Sequence, residues 1–223
     1  MDKNISIVIQ SRLGSSRIPG KMLKDFAGTT LVDILLTKLL QSKEVDPSQI
    51  YFCVGEDELI EAGNKYPINI IKRSDASLNE EKDIKVLYEW YTEIPTEHLV
   101  MISGCNPLIK IETIDKFIKE YKESNQEGAI SVYESNNYFW NPEGKMHNKW
   151  PDGFTSMNTK YVESTKVAAH CMYGSRVDLI PKGSWVTDKI PYEVELITMP
   201  ELEAFDIDDQ WQFEVAETLY EKQ

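Results

Sequence analysis

Gln10-Ser11-Arg12-Leu13-Gly14-Ser15-Ser16-Arg17-Ile18-Pro19-Gly20-Lys21 follows directly on the apolar, β-branched run Ile5–Ile9. The run reads as a strand buried on both faces, and the dozen residues after it as a polar loop. In an open α/β sheet, ligands bind outside the carboxyl ends of the strands, which is where this loop leaves the first one. Gly14 lets the backbone approach a ligand closely, and neighbouring amides, Ser15 among them, can form an anion-binding nest. Arg12, Arg17 and Lys21 add cationic donors suited to a polyphosphate. The loop is neither a Walker A loop nor a GxGxxG turn, which argues against kinase and dinucleotide chemistry.

Outward from the loop, Leu31, Ile34, Leu35, Leu39 and Leu40 recur at helical spacing, with Thr29 or Thr30 placed to cap. Ile50–Val54 and Ile68–Ile71 predict strands, and Ile84, Leu87, Tyr88 and Tyr91 a helix. His98–Ser103 predicts a strand ended by Asn106-Pro107. Ile111, Ile114, Ile118 and Tyr121 predict the next helix, and Gly128–Tyr133 the next strand. Alternation of this kind implies crossover units, so the class is α/β with a mostly parallel sheet flanked by helices. The stretch 135–170 breaks the rhythm. It is rich in Asn, Gly, Pro and aromatics, and predicts a small irregular excursion of loops and hairpin strands within a single domain spanning 1–223. Val167–Tyr173 and Glu193–Thr198 read as returning strands, and Trp211, Val215 and Leu219 as a closing helix.

Charge sharpens the picture. Asp and Glu number 37 against 24 Lys and Arg, a net of −13, which excludes a nucleic-acid or anionic-membrane surface. No stretch approaches the roughly 20 apolar residues that span a bilayer, and no signal-peptide core opens the chain. Cys53, Cys105 and Cys171 form no CxxC pair, so a reducing cytoplasm is the expected compartment. The charge is uneven: residues 1–24 carry five bases and one acid, a net of +4, whereas residues 201–223 carry eight acids and one Lys, a net of −7. Within that tail, Ala204-Phe205-Asp206-Ile207-Asp208-Asp209 puts Asp206 and Asp208 on one face of a short predicted strand. Two converging carboxylates suit Mg²⁺, which keeps waters and shares substrate phosphates. Asp208 or Asp209 is equally placed to cap the closing helix.

The loop, read as (A/Q)-x-R-x-G-S-x-R-(I/L)-P-G-K, resembles the signature of sugar-activating nucleotidyltransferases, and most closely the acylneuraminate cytidylyltransferases. Gln10 also resembles the spore-coat polysaccharide cytidylyltransferase-like proteins. The resemblance implies a Rossmann-like nucleotidyltransferase fold and a reaction in which CTP and a 2-keto-3-deoxy sugar acid, of sialic acid type, give the CMP-sugar and pyrophosphate. It further implies a homodimer, with Mg²⁺ on Asp206 and Asp208. Arg12 and Lys21 would neutralise the triphosphate, and Gly14, Ser15 and Arg17 would complete its cradle. Arg73 resembles an arginine near the nucleotide, although a solvated strand-end Arg fits as well. Met101-Ile102-Ser103-Gly104-Cys105-Asn106-Pro107-Leu108 occupies the place of a QPTSPL-like segment, with Cys105-Asn106 replacing Thr-Ser. The absence of an Asp there argues against the octulosonate branch, and Asn106 stands as a candidate substrate contact. Tyr138 and His170 resemble sugar-binding positions of the excursion, with interface packing and a satisfied core histidine as the competing readings. Another acceptor (octulosonate, phosphonate or sugar phosphate) and a catalytically silent nucleotide-binding homologue remain the alternatives.

Overall fold

The computed structural model describes residues 3–79, 82–183 and 194–222. The described strands are β1 (Ile5–Gln10), β2 (Ile50–Val54), β3 (Asn69–Lys72), β4 (His98–Ile102), β5 (Gly128–Ser135), β6 (Thr165–Arg176) and β7 (Glu195–Thr198). They form one sheet in the order β3-β2-β1-β4-β6-β5-β7. β1 runs parallel to β2 and β4, and β2 to β3. β6 is antiparallel to both β4 and β5, whereas β7 returns parallel to β5. The fold is thus the expected mostly parallel sheet with flanking helices. The chain steps from β1 outward to β2 and β3, then places β4 on the other side of β1. That reversal opens a crevice at the carboxyl ends of β1 and β4, and both the loop after Gln10 and the segment after Ile102 emerge there.

The helices are α1 (Leu31–Leu39), α2 (Asp57–Gly63), α3 (Asp75–Asn79), α4 (Ile84–Leu87), α5 (Ile111–Glu123) and α6 (Gln210–Tyr220). Thr30 caps α1, its hydroxyl accepting the Asp33 N–H at 3.1 Å. Both faces of β1 are covered, which explains its unbroken apolar run. Ile5, Ile7 and Ile9 pack into the larger core with Phe26, Leu36, Phe117 and Tyr121, and Val8 packs into a smaller one with Cys53, Trp90 and Leu99. Gly174 of β6 lies beneath Tyr121, and a Cβ there would stand 2.7 Å from the ring. Only glycine allows that approach.

The structure departs from expectation in four places. The helix expected across Ile84–Tyr91 stops at Leu87 and continues as a 3-10 turn, Glu89–Thr92, which turns Trp90 fully inward. Helices α2 and α3 are short and were not expected. β6 extends beyond Val167–Tyr173 at both ends, because β5 and β6 pair from Gly128↔Ser175 to Ser135↔Thr165 and so close the excursion as one long loop. Asp206 to Asp208 lie in no strand: the segment follows a 3-10 turn, Glu201–Ala204, and its Ile207 N–H donates to the Cys105 carbonyl at 3.0 Å. Its alternation survives nonetheless, with Ile207 buried and the two aspartates half-buried beside it. Glu193, the expected start of the last strand, lies outside the described residues.

Candidate active site

The loop after β1 is folded on its own backbone. The Leu13 carbonyl accepts from Ser15 N–H at 2.8 Å and Gly20 N–H at 3.3 Å, and Ser15 Oγ accepts from Ile18 N–H at 3.3 Å. Gly20 takes φ +65°, a conformation glycine reaches without strain. Ile18 and Met22 are buried as anchors, and Gly14, Ser16 and Arg17 ahead of them are exposed. Nothing stands within 4 Å of where a Cβ would sit on Gly14, so its backbone faces open space. Glu56, just beyond β2, fixes the loop by accepting Leu13 N–H at 2.6 Å.

Arg12, Gly14, Ser15, Arg17 and Lys21 line a cleft of about 420 Å³ at the sheet's switch point, together with Cys105, His170 and Tyr173. The acidic tail reaches the same place. Arg17 Nη2 pairs with Asp208 Oδ1 at 2.6 Å, and the buried Lys21 ammonium donates to the Ile207 carbonyl between the two aspartates. The basic beginning and the acidic end of the chain therefore meet at one site.

Burial and the neighbouring Asp208 charge raise the Asp206 carboxyl above its ordinary range, against the pull of Lys21 and His170. Asp206 Oδ1 is buried and, among the described residues, has no hydrogen-bond partner. An orphaned carboxylate oxygen beside a second carboxylate fits a hard divalent cation. The fit is for an ion sharing its shell with substrate and water, since among the described residues no group of three or more His, Cys, Asp or Glu is placed to hold a metal. Of the two aspartates weighed as caps, Asp208 and Asp209, the second is used: Asp209 caps α6, reciprocated by Gln212, and Asp208 is left to the site.

His170 is the strained residue of the cleft. Between the pairs Ile130↔Tyr173 and Val132↔Ala168, residues 169–172 of β6 stand opposite the single residue Ser131, a special bulge larger than the usual two against one. The Ser131 hydroxyl fills its mouth, accepting Met172 N–H at 3.0 Å. Within the bulge His170 adopts φ +55°, and its exposed ring reaches Tyr173 Oη at 2.7 Å through Nδ1. Bulges re-aim side chains, and left-handed non-glycine residues cluster at sites where strain is retained for function.

The other candidates do not line this cleft. Arg73 is buried, and burial lowers its pKa; its guanidinium donates to Ser77 Oγ (3.0 Å), to the Ser77 carbonyl (2.7 Å) and to the Ser11 carbonyl (3.4 Å). It braces the loop from below, which corrects the solvated strand-end reading. Asn106 is buried away from the cleft wall, donating to the Ala204 carbonyl at 3.3 Å. Tyr138 stacks on Trp150 at 5.5 Å in the excursion and does not line the cleft. Tyr173 and Glu56 were not singled out from the sequence. Tyr173 sat in a run already quoted, and an acid directly after a buried strand was the available signal for Glu56.

A sequence model of the cytidylyltransferase family matches residues 6–170, from the first strand to the bulge. The chain belongs to that family. Relatives include a 3-deoxy-manno-octulosonate cytidylyltransferase of Francisella philomiragia, 28% identical over 51% of this chain and 44% of its own length. Another is the spore coat polysaccharide biosynthesis protein SpsF of Bacillus subtilis, 25% identical over 53% of this chain and 50% of its own. The chain spans about half the length of the curated relatives it matches. Among solved structures, a CMP:2-keto-3-deoxy-manno-octonic acid synthetase complexed with CTP superposes over 98% of this chain and 99% of its own, at a TM-score of 0.72 and 15% identity. A 4-diphosphocytidyl-2C-methyl-D-erythritol synthase from Anaerococcus prevotii covers 98% of this chain and 99% of its own at 0.67 and 17%. These structures share the nucleotidyltransferase fold. The match is to cytidylyltransferases at large. Relatives named for octulosonate stand against the weight placed on Cys105-Asn106.

Proposed function

We propose that this chain is a cytidylyltransferase that uses CTP to activate a 2-keto-3-deoxy sugar acid, releasing pyrophosphate. The joining of the basic loop to the Asp206–Asp208 segment, through the Arg17–Asp208 pair and the Lys21–Ile207 bond, is the observation that carries the reading. The anomeric hydroxyl oxygen bonds to the α-phosphorus, the bond from that phosphorus to the bridging oxygen breaks, and the hydroxyl proton is lost. Such a transfer is chiefly positioning and charge stabilisation.

The exposed backbone at Gly14 and Ser16, with Arg12 and Arg17, receives the triphosphate. Lys21, held by the Ile207 carbonyl, neutralises charge developing on the leaving pyrophosphate. Asp206 and Asp208 would hold Mg²⁺, which when bound supplies charge neutralisation at the phosphates. His170, hydrogen-bonded to Tyr173 in the cleft lining, positions the acid.

An octulosonate-type acid is the acceptor that the named relatives favour. A sialic acid-type acid is the second reading, supported by the loop signature. The aromatic surface of the excursion, where Trp140, Phe154, Met157 and Tyr161 are exposed, supports a second copy of the chain as its cover. Coupled pyrophosphate release with CTP and Mg²⁺ compares 3-deoxy-octulosonate, N-acetylneuraminate and a sugar phosphate. Turnover with a keto acid and none with the sugar phosphate is expected; the reverse order would sink the assignment.

A further inference from the structure

We propose that Gln10 is a specificity-determining residue that reads the nucleobase, and that Trp90 is the positioning residue that aims it. The inference rests on the cytidylyltransferase reading of the cleft and names the group within it that selects the base. Trp90 is fully buried, and its indole N–H donates to Gln10 Oε1 at 2.5 Å. An indole N–H can only donate, so this bond settles which end of the carboxamide is which: the oxygen faces Trp90 and the NH₂ faces away. Among the described residues that NH₂ has no hydrogen-bond partner, although it could give two. The break between α4 and the 3-10 turn after it is what brings Trp90 inward to make the bond.

Gln10 ends β1 and stands where two clefts join. It lines the main cleft and a smaller one of about 320 Å³ shared with Ser11, Arg12, Arg73 and Leu87. The Arg73 guanidinium is engaged with backbone carbonyls, and Arg12 Nη1 donates to the Leu78 carbonyl at 2.9 Å. Among the described residues no carboxylate lines this smaller cleft. It offers donors and an apolar edge, the complement of a flat ring with acceptors along one side, and it lies beside the first residues of the phosphate loop. His170 lines the main cleft, and the acidic pair is joined to the loop of that cleft through Arg17 and Lys21, which leaves that side for the sugar acid. Neutral cytosine presents two adjacent acceptors, O2 and N3, whereas uracil puts an N–H at position 3. A donor fixed at Gln10 pairs with the first and opposes the second.

The test uses the full chain with CTP and UTP as competing nucleotides. Gln10→Glu keeps an acceptor for Trp90 and replaces the donor by a carboxylate. It should raise KM for CTP by about tenfold, leave KM for the acid unchanged, and narrow the CTP/UTP preference by at least about tenfold. Gln10→Leu should narrow the preference less, and Trp90→Phe, which frees the carboxamide, by about threefold. Thermal melting separates these effects from unfolding, and Gln10→Leu serves should Trp90→Phe not fold. An unchanged CTP/UTP ratio in folded Gln10→Glu overturns the proposal, as does a KM change confined to the acid. If the wild-type chain turns over no acid at all, the functional reading fails instead, and calorimetric affinities for CTP and UTP still measure the same ratio.

Discussion

The two halves of the sheet reach the cleft by different means. On the side of β1, β2, β3 and β4, one contiguous loop carries Arg12, Gly14, Ser15, Arg17 and Lys21, anchored by two buried apolar residues and one carboxylate. On the side of β5, β6 and β7, the wall is assembled from distant pieces: a bulge in β6 aims His170, and a segment past residue 204 delivers Asp206 and Asp208. The difference maps onto chemistry. A triphosphate is the same ligand in every nucleotide-dependent transfer, and a short rigid loop suffices for it. An acceptor varies, and an irregular, bulged wall is the part that can change shape without disturbing the parallel strands.

The comparison predicts that damage on the loop side is general and damage on the β6 side is selective. Lys21→Ala should show the largest effect, a loss of about 10²–10³ in kcat with every acceptor, read from pyrophosphate release. A loss seen with one acid only would break the division. Asp206→Asn should also abolish most turnover while stabilising the fold at neutral pH. The sign follows from its raised folded pKa: between the unfolded value and the folded one the native state binds more protons, so unfolding free energy falls as pH rises through that window. Denaturant melts of both proteins from pH 3 to pH 8 should show this fall in the wild type alone.

His170→Gly should act selectively. It relieves a left-handed non-glycine conformation worth roughly 1–2 kcal/mol, so the variant melts no lower than wild type. KM for the acid should rise about tenfold with KM for CTP unchanged, as expected for loss of one charged or polar contact.

The smallest effect is remote from the cleft. Lys38 on α1 donates to the Pro107 carbonyl at 2.9 Å, and burial lowers its pKa to about 8. The unfolded chain binds the extra proton between about pH 8 and 10.5, so unfolding free energy should rise across that range. Lys38→Met should flatten the rise with little change in turnover, measured by denaturant titration.

How much of this was legible in the sequence follows the same division. The loop side was readable because its strands are buried on both faces and read as unbroken apolar runs, as Ile5–Ile9 and Ile50–Val54 do. Its cations lie within ten residues of one another in the chain. The Asp206–Asp208 alternation was readable too, although the strand was not there, because period-two alternation needs only an extended chain. The bulge was not legible. Nothing local to Ala169-His170-Cys171 marks a left-handed histidine, since it arises from the mismatch in length between β5 and β6. The bond from Trp90 to Gln10 spans 80 residues and depends on a helix ending one turn early, which periodicity alone did not signal.

The most direct measurement is ³¹P NMR of CTP, Mg²⁺ and 3-deoxy-octulosonate with the wild-type chain. The expected spectrum shows the CTP resonances replaced by one phosphodiester signal and an equal amount of pyrophosphate, with neither appearing for Lys21→Ala. Bound CTP that persists unchanged with every keto acid offered would contradict the assignment and identify a nucleotide-binding protein without transfer activity.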